Sequence, residues 1–169
     1  MEKTKIRIVE RVEEQKPMKG IFSLRVYRHV NGERRLIDEY EERNLIVNDA
    51  RVQMAHLVAG EHISLDSNDD PIGGRHITQI GFGIDSTAAM VADTMLTDPF
   101  MKPLDGFEYP EMGQVQFNWG LGINEANGKE IKEFGLFCED GKLFARRVRL
   151  KPINKEDDIS LEGTWTIIF

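Results

Sequence analysis

At 169 residues the chain is long enough to bury one substantial core, and its formal charge of −7 excludes general nucleic-acid binding, which needs a cationic surface to neutralise phosphates. A single cysteine excludes an intrachain disulfide framework. No apolar run approaches the roughly 20 residues of a membrane-spanning helix, so no membrane span is expected.

The first stretch, MEKTKIRIVERVEEQ, spreads charge throughout and has no apolar signal core, which predicts synthesis in a cytoplasm. Ile6 to Val12 reads as β-like, and Pro17 and Gly20 are read as breaks. From Ile21 to Val30 the pattern alternates, with Phe22, Leu24 and Val26 on one face and Ser23, Arg25, Tyr27 and His29 on the other. Asn31-Gly32 predicts a tight hairpin turn. Arg34 to Tyr40 returns as a charged strand, expected at an edge or facing solvent. Asn48 reads as a helix N-cap, with Val47, Ala50, Met54, Leu57 and Val58 as an apolar stripe and Gly60 just past the end. One helix is expected, over about 49–59.

Residues 61–75 read as a long polar loop. Ile77 to Phe82 is a short apolar strand, 90–96 a helical turn, and 101–109 a strand interrupted by Pro103 and Asp105-Gly106. Gln114 to Ile123 is the clearest strand, with Val115, Phe117, Trp119, Leu121 and Ile123 on one face. In Glu130 to Val148, two apolar runs flank Glu139-Asp140-Gly141-Lys142, which predicts a hairpin. A two-residue turn at Asp140-Gly141 sets Glu139 opposite Lys142, Cys138 opposite Leu143, Phe137 opposite Phe144 and Leu136 opposite Ala145. Apolar residues on both faces place this hairpin mid-sheet. Ile159 to Phe169 closes the chain as a strand with Ile159, Leu161, Trp165, Ile167 and Phe169 on one face.

The count predicts a mainly β fold: β-sandwich-like antiparallel sheets with one helix packed against them. Residues 1–43 are expected to form an N-terminal β-hairpin extension and 44–169 the β-sandwich domain.

The search for chemistry gives no catalytic, cofactor-binding or metal residues. Asp66, Asn68 and Asp70 have the spacing of a calcium loop, but Pro71 stands where the sixth position needs Gly and Ile77 where the twelfth needs Glu. Whether 61–75 holds calcium in another way stays open. His29, His56, His62 and His76 lie at no ligand spacing, and Cys138 sits in an apolar run as a small core residue. Gly81-Phe82-Gly83 lacks the third glycine or Gly-Lys-Ser/Thr of a phosphate loop. Arg146, Arg147 and Arg149 form a basic cluster able to pair with a partner's carboxylates or, as the favoured reading, with Asp and Glu of the same fold. With Tyr109 they are the candidate interaction residues.

Four segments in order carry a resemblance: NLIVNDARVQMAHLVAG from Asn44, ITQIGFGIDSTAAMVADTML from Ile77, NGKEIKEFGLFCEDGKLFARRV from Asn127, and the terminal LEGTWTIIF. Together they resemble tail-fibre, tail-collar and baseplate-associated structural proteins of tailed bacteriophages and prophages, over roughly 44–169. The usual GTGxT of the second segment is here Gly81-Phe82-Gly83-Ile84-Asp85, and Gly81 and Gly83 are expected to allow tight turns. The resemblance implies a non-enzymatic virion component, made in the bacterial host cytoplasm and placed in the tail. Its implied partners are other tail proteins, further copies of itself and a host-surface glycan. A carbohydrate- or receptor-binding fibre module is the alternative. A tail-associated polysaccharide hydrolase would need two carboxylates about 5–10 Å apart across a groove, and no such pattern stands out.

Overall fold

The computed structural model describes residues 18–169. The β-like stretch read at Ile6 to Val12 lies outside them. The chain forms β1 (Lys19–Val30), β2 (Glu33–Ile46), α1 (Asn48–Val58), β3 (Ile63–Leu65), β4 (Pro71–Gly74), β5 (Ile77–Gly83) and β6 (Phe100–Pro103). It continues with β7 (Gly106–Glu108), β8 (Gln114–Leu121), β9 (Glu130–Cys138), β10 (Leu143–Asn154) and β11 (Ile159–Ile168). Nine strands form one antiparallel sheet in the order β6-β5-β9-β10-β2-β1-β11-β8-β7, and β3 and β4 form a separate two-stranded sheet.

The large sheet folds over on itself. The seam is the junction of β2 and β10, where only Leu45 and Ile46 pair with Arg146 and Ala145. On one side lie β2, β1, β11, β8 and β7; on the other, β10, β9, β5 and β6. The inner faces meet in an aromatic core. Phe22 of β1 lies 4.7 Å from Phe134 of β9 and 4.9 Å from Trp165 of β11. Trp119 of β8 lies 5.7 Å from Phe82 of β5. Such ring pairs add about 0.5–1.5 kcal/mol each beyond the burial of their area. The mainly β, sandwich-like fold with one packed helix is thus the observed architecture.

The two edge strands, β6 and β7, are consecutive in sequence. The linking residues tie both layers: Leu104 N donates to Thr78 O of β5 at 3.0 Å, and Asp105 N to Asn118 O of β8 at 2.9 Å. The segment expected as one interrupted strand over 101–109 is therefore split between the layers, because Leu104 and Asp105 carry the chain across the gap.

The alternating strands behave as their pattern predicts. Phe22, Leu24 and Val26 are buried, as are Phe117, Trp119, Leu121, Ile159, Leu161, Trp165 and Ile167, while Phe169 is exposed beyond the end of β11 and Ile123, expected in the same row as Trp119, is exposed beyond the end of β8. At the β1–β2 turn both Asn31 (φ 53°) and Gly32 (φ 80°) are left-handed, as a type I′ turn requires. Gly20 is no break; it lies inside β1, which pairs with both β2 and β11. The boundary drawn at Asn44 falls inside β2.

The helix begins one residue earlier than expected. Val47 occupies the cap position, and Asn48 N donates to Val91 O at 2.8 Å, so the loop supplies what a capping side chain would. The far end closes on Gly60 (φ 87°), with Gly60 N bonded to Leu57 O and Glu61 N to His56 O, a Schellman arrangement. Val47 and Ala50 are fully buried, whereas Val58 is exposed and Gln53 is buried in its stead. The expected loop 61–75 contains the β3–β4 hairpin, and 90–96 is a single turn with no helix. No helix of the described residues is long and apolar enough to cross a membrane.

Candidate assembly surface

The β9–β10 hairpin turns differently from the expected type I′ form. Gly141 alone is left-handed (φ 81°), Gly141 N donates to Cys138 O, and Cys138 N donates to Lys142 O. This is a type I turn followed by a glycine bulge. The extra residue shifts the register, so Phe137 pairs with Leu143 and only the Leu136–Ala145 pair stands as expected. Glu139 does not meet Lys142; its Oε2 accepts from Gly74 N at 2.8 Å. Asp140 Oδ2 accepts from Gln53 Nε2 at 2.5 Å and from Ser64 Oγ. The turn therefore docks α1 and the β3–β4 hairpin onto the main sheet.

The three candidate arginines are held by this fold's own acceptors. Arg146 is 4% exposed and donates through Nε to Glu133 Oε2 at 2.8 Å and through an Nη to Asp93 at 2.7 Å; a further Nη lies 3.2 Å from Asp85. Burial opposes its charge, but the hydrogen bonds to Asp93 and Glu133 outweigh that and raise its pKa. Arg147 donates to the Tyr40 hydroxyl at 2.7 Å and to Glu42. Arg149 meets Asp38 at 2.6 Å. The guanidinium carbons of Arg147 and Arg149 each lie 5.3 Å from the Tyr40 ring centre. These pairs bridge β10 to the stretch of β2 that has no ladder with it.

Glu133 does a second job. Its Oε1 accepts from Thr97 N at 2.7 Å and Asp85 N at 3.2 Å, the two ends of the 84–97 loop. With Arg146 holding Asp85 and Asp93, one buried pair fastens the whole loop over the outer face of β9. In the sequence, Glu133 directly precedes the apolar run Phe134 to Cys138 and Arg146 follows Leu143-Phe144-Ala145 on the hairpin partner, which is the signal available for such a pair. No local pattern marks Lys155, which is fully buried and donates to Asn127 Oδ1 at 2.6 Å and to two backbone carbonyls. Burial lowers its pKa.

In the candidate calcium loop, Asp66 Oδ1 accepts from Asn68 N at 2.8 Å and Asp70 N at 3.0 Å. The carboxylate thus shapes its own turn. Among the described residues no group of three or more His, Cys, Asp or Glu side chains is arranged to hold a metal ion. Cys138 is buried, and burial pushes its thiol pKa up to about 12, far from that of a nucleophile at neutral pH.

Tyr109, the fourth candidate, stands elsewhere. It is 74% exposed, edge-on to Phe107 at 5.8 Å, at the end of the sandwich nearest α1. Beside it opens a groove of about 560 Å³ lined mainly by apolar side chains, among them Met54, Leu57, Ile77, Val115 and Phe169. Met112, on the same rim, is fully exposed. The other large groove, of about 720 Å³, is polar and includes Ser23, Arg34, Asn118, Glu125 and Thr164. Trp119, the one aromatic residue lining it, is buried. A scan against protein-family models found no matching family, and searches of curated proteins and of solved structures found no match.

Proposed function

We propose that this chain is a non-enzymatic structural component of a phage or prophage tail, acting by assembly with other tail proteins. The observation that carries the assembly reading is the apolar end of the sandwich. Phe107, Tyr109, Met112 and Phe169 are 61%, 74%, 100% and 57% exposed. Together they present on the order of 500 Å² of apolar surface, at the upper end for the largest patch on an ordinary monomer. The cost of keeping them in water is removed by a protein partner. The ordered segments from Asn44 to Phe169 supply the tail context.

The glycan-binding alternative has less support. A sugar site needs an exposed aromatic platform among many hydrogen-bonding groups, and the larger, polar groove has none, since Trp119, the one aromatic residue lining it, is buried. The test is co-expression with the products of neighbouring genes, followed by co-purification and sedimentation. Stable complexes with tail components are expected. A strict monomer at high concentration that binds none of them overturns the reading.

A further inference from the structure

We propose that the apolar groove beside α1 receives a second copy of this chain, related by a twofold axis. This rests on the assembly reading and names its partner.

The surface carries both halves of a contact. Met54, Leu57, Ile77 and Val115 wall a groove, and Tyr109 and Met112 stand on its rim. A twofold operation places each copy's rim residues into the other's groove, which is how an isologous interface becomes self-complementary.

The charges point the same way. Arg75 and Glu111 line this one groove. Among the described residues neither has an ion-pair partner. Arg75 donates to the Gln53 amide at 2.9 Å, and Glu111 accepts from the Gln114 amide at 3.1 Å. A rim of one sign would select a partner of the opposite sign. A rim with one unpaired cation and one unpaired anion matches its own rotated copy, with Arg75 facing Glu111 of the second copy twice over.

The area is adequate. The four exposed apolar residues contribute roughly 500 Å² per copy, or about 1,000 Å² for the pair, which is the lower bound for a specific interface. Beside the groove, Phe107 of the edge strand β7 is exposed and lies 5.8 Å from Tyr109, and among the described residues β7 pairs only with β8. An edge strand that exposes an aromatic side chain is a liability unless something packs on it.

The experiment is analytical ultracentrifugation of the full chain over a wide concentration range, with Met112→Glu, Glu111→Arg and the exchanged pair Arg75→Glu with Glu111→Arg. The wild type is expected to dimerise. Met112→Glu and Glu111→Arg are expected to weaken the dimer more than tenfold with an unchanged circular dichroism spectrum, since both positions are exposed. The exchanged pair is expected to recover most of the loss. If that pair melts early because Arg75 no longer holds Gln53, the two single variants decide the matter. A monomer throughout, or a dimer indifferent to both single variants, overturns the proposal. A monomer that still binds neighbouring tail proteins overturns only the second copy; a groove-dependent dimer that binds none of them overturns only the tail setting.

Discussion

Glu133 and Arg146 are joined at 2.8 Å in the interior of the sheet, with Glu133 fully buried and Arg146 nearly so. Neither could be there alone. Burying a single charge costs several kcal/mol, and the pair is tolerated because Asp93, Asp85 and two backbone N–H groups complete the hydrogen bonding. Glu133→Ala and Arg146→Ala are each expected to cost about 3–5 kcal/mol, a large share of the about 5–15 kcal/mol that holds a domain together. Urea unfolding measures the loss. Hydrogen exchange supplies the discriminating readout, since amides of 85–97 should lose protection first. Equal loss across the sheet would contradict a latch on this loop.

The Asp140 carboxylate presents a smaller case of the same physics. It accepts from Gln53 of α1 and Ser64 of β3, both buried. Asp140→Ala leaves two buried donors unmatched and is expected to cost about 1–3 kcal/mol. Asp140→Asn keeps one acceptor oxygen and should cost less. Thermal melts rank the two, and an Asp140→Ala variant as stable as wild type would contradict the docking role.

Much of the framework was legible because one-sided burial writes itself as alternation. Phe22, Leu24 and Val26, and Phe117, Trp119 and Leu121, are read directly as inward rows. The β3–β4 hairpin was not legible, because Ile63 and Leu65 are exposed and only Ser64 between them is buried. Its stability comes from Asp140 and Glu139, distant residues that no local pattern announces. Asp-Gly suits a type I turn with a glycine bulge as well as a type I′ turn, so the residues fixed the turn's position and left its register open. At the surface, Tyr109 could be named as an aromatic residue in a turn-rich stretch. Its groove could not be, since the lining comes from α1, β5, β8 and β11 as well as the 109–113 segment.

Gly81 and Gly135 face each other across β5 and β9. Neither has a left-handed φ, so the expectation of tight turns at Gly81 and Gly83 gives way to a packing reason. A Cβ at Gly135 would stand 2.9 Å from Leu143 Cδ1 and 3.0 Å from the Phe137 ring; one at Gly81 would stand 2.9 Å from the same ring. The missing side chains make room for the small cluster of Val47, Leu96, Phe137 and Leu143 that covers the outer face of β9. Gly135→Val is expected to destabilise by about 1–3 kcal/mol through overpacking, and Gly135→Ala by less, because the Leu143 methyl can move. Denaturant titration checks the order. A Gly135→Val variant as stable as wild type would mean the cluster has slack that these distances deny.

Acid should unfold this protein through its paired carboxylates. In Asp38, burial opposes ionisation, but hydrogen bonds from Lys151 and Arg149 prevail and hold its pKa below the usual value. Hydrogen bonds from Tyr27 and then Arg34 lower Glu162. Burial opposes ionisation of Glu125 as well, and Lys102 and the Gly122 N–H outweigh it. A carboxylate with a depressed folded pKa stabilises fully where it is ionised in both states, above the unfolded values of about 4. Below that the unfolded chain binds protons first, and the stabilisation drains away as pH falls through the folded values. Urea midpoints should therefore hold from neutral pH down to about 5 and fall steadily from about 4 downward. Asp38→Asn tests the assignment. It should lower stability at neutral pH by about 1–3 kcal/mol, because Arg149 and Lys151 lose a charged acceptor. It should also make the acid decline shallower than in wild type, and an unchanged slope would remove Asp38 from the set.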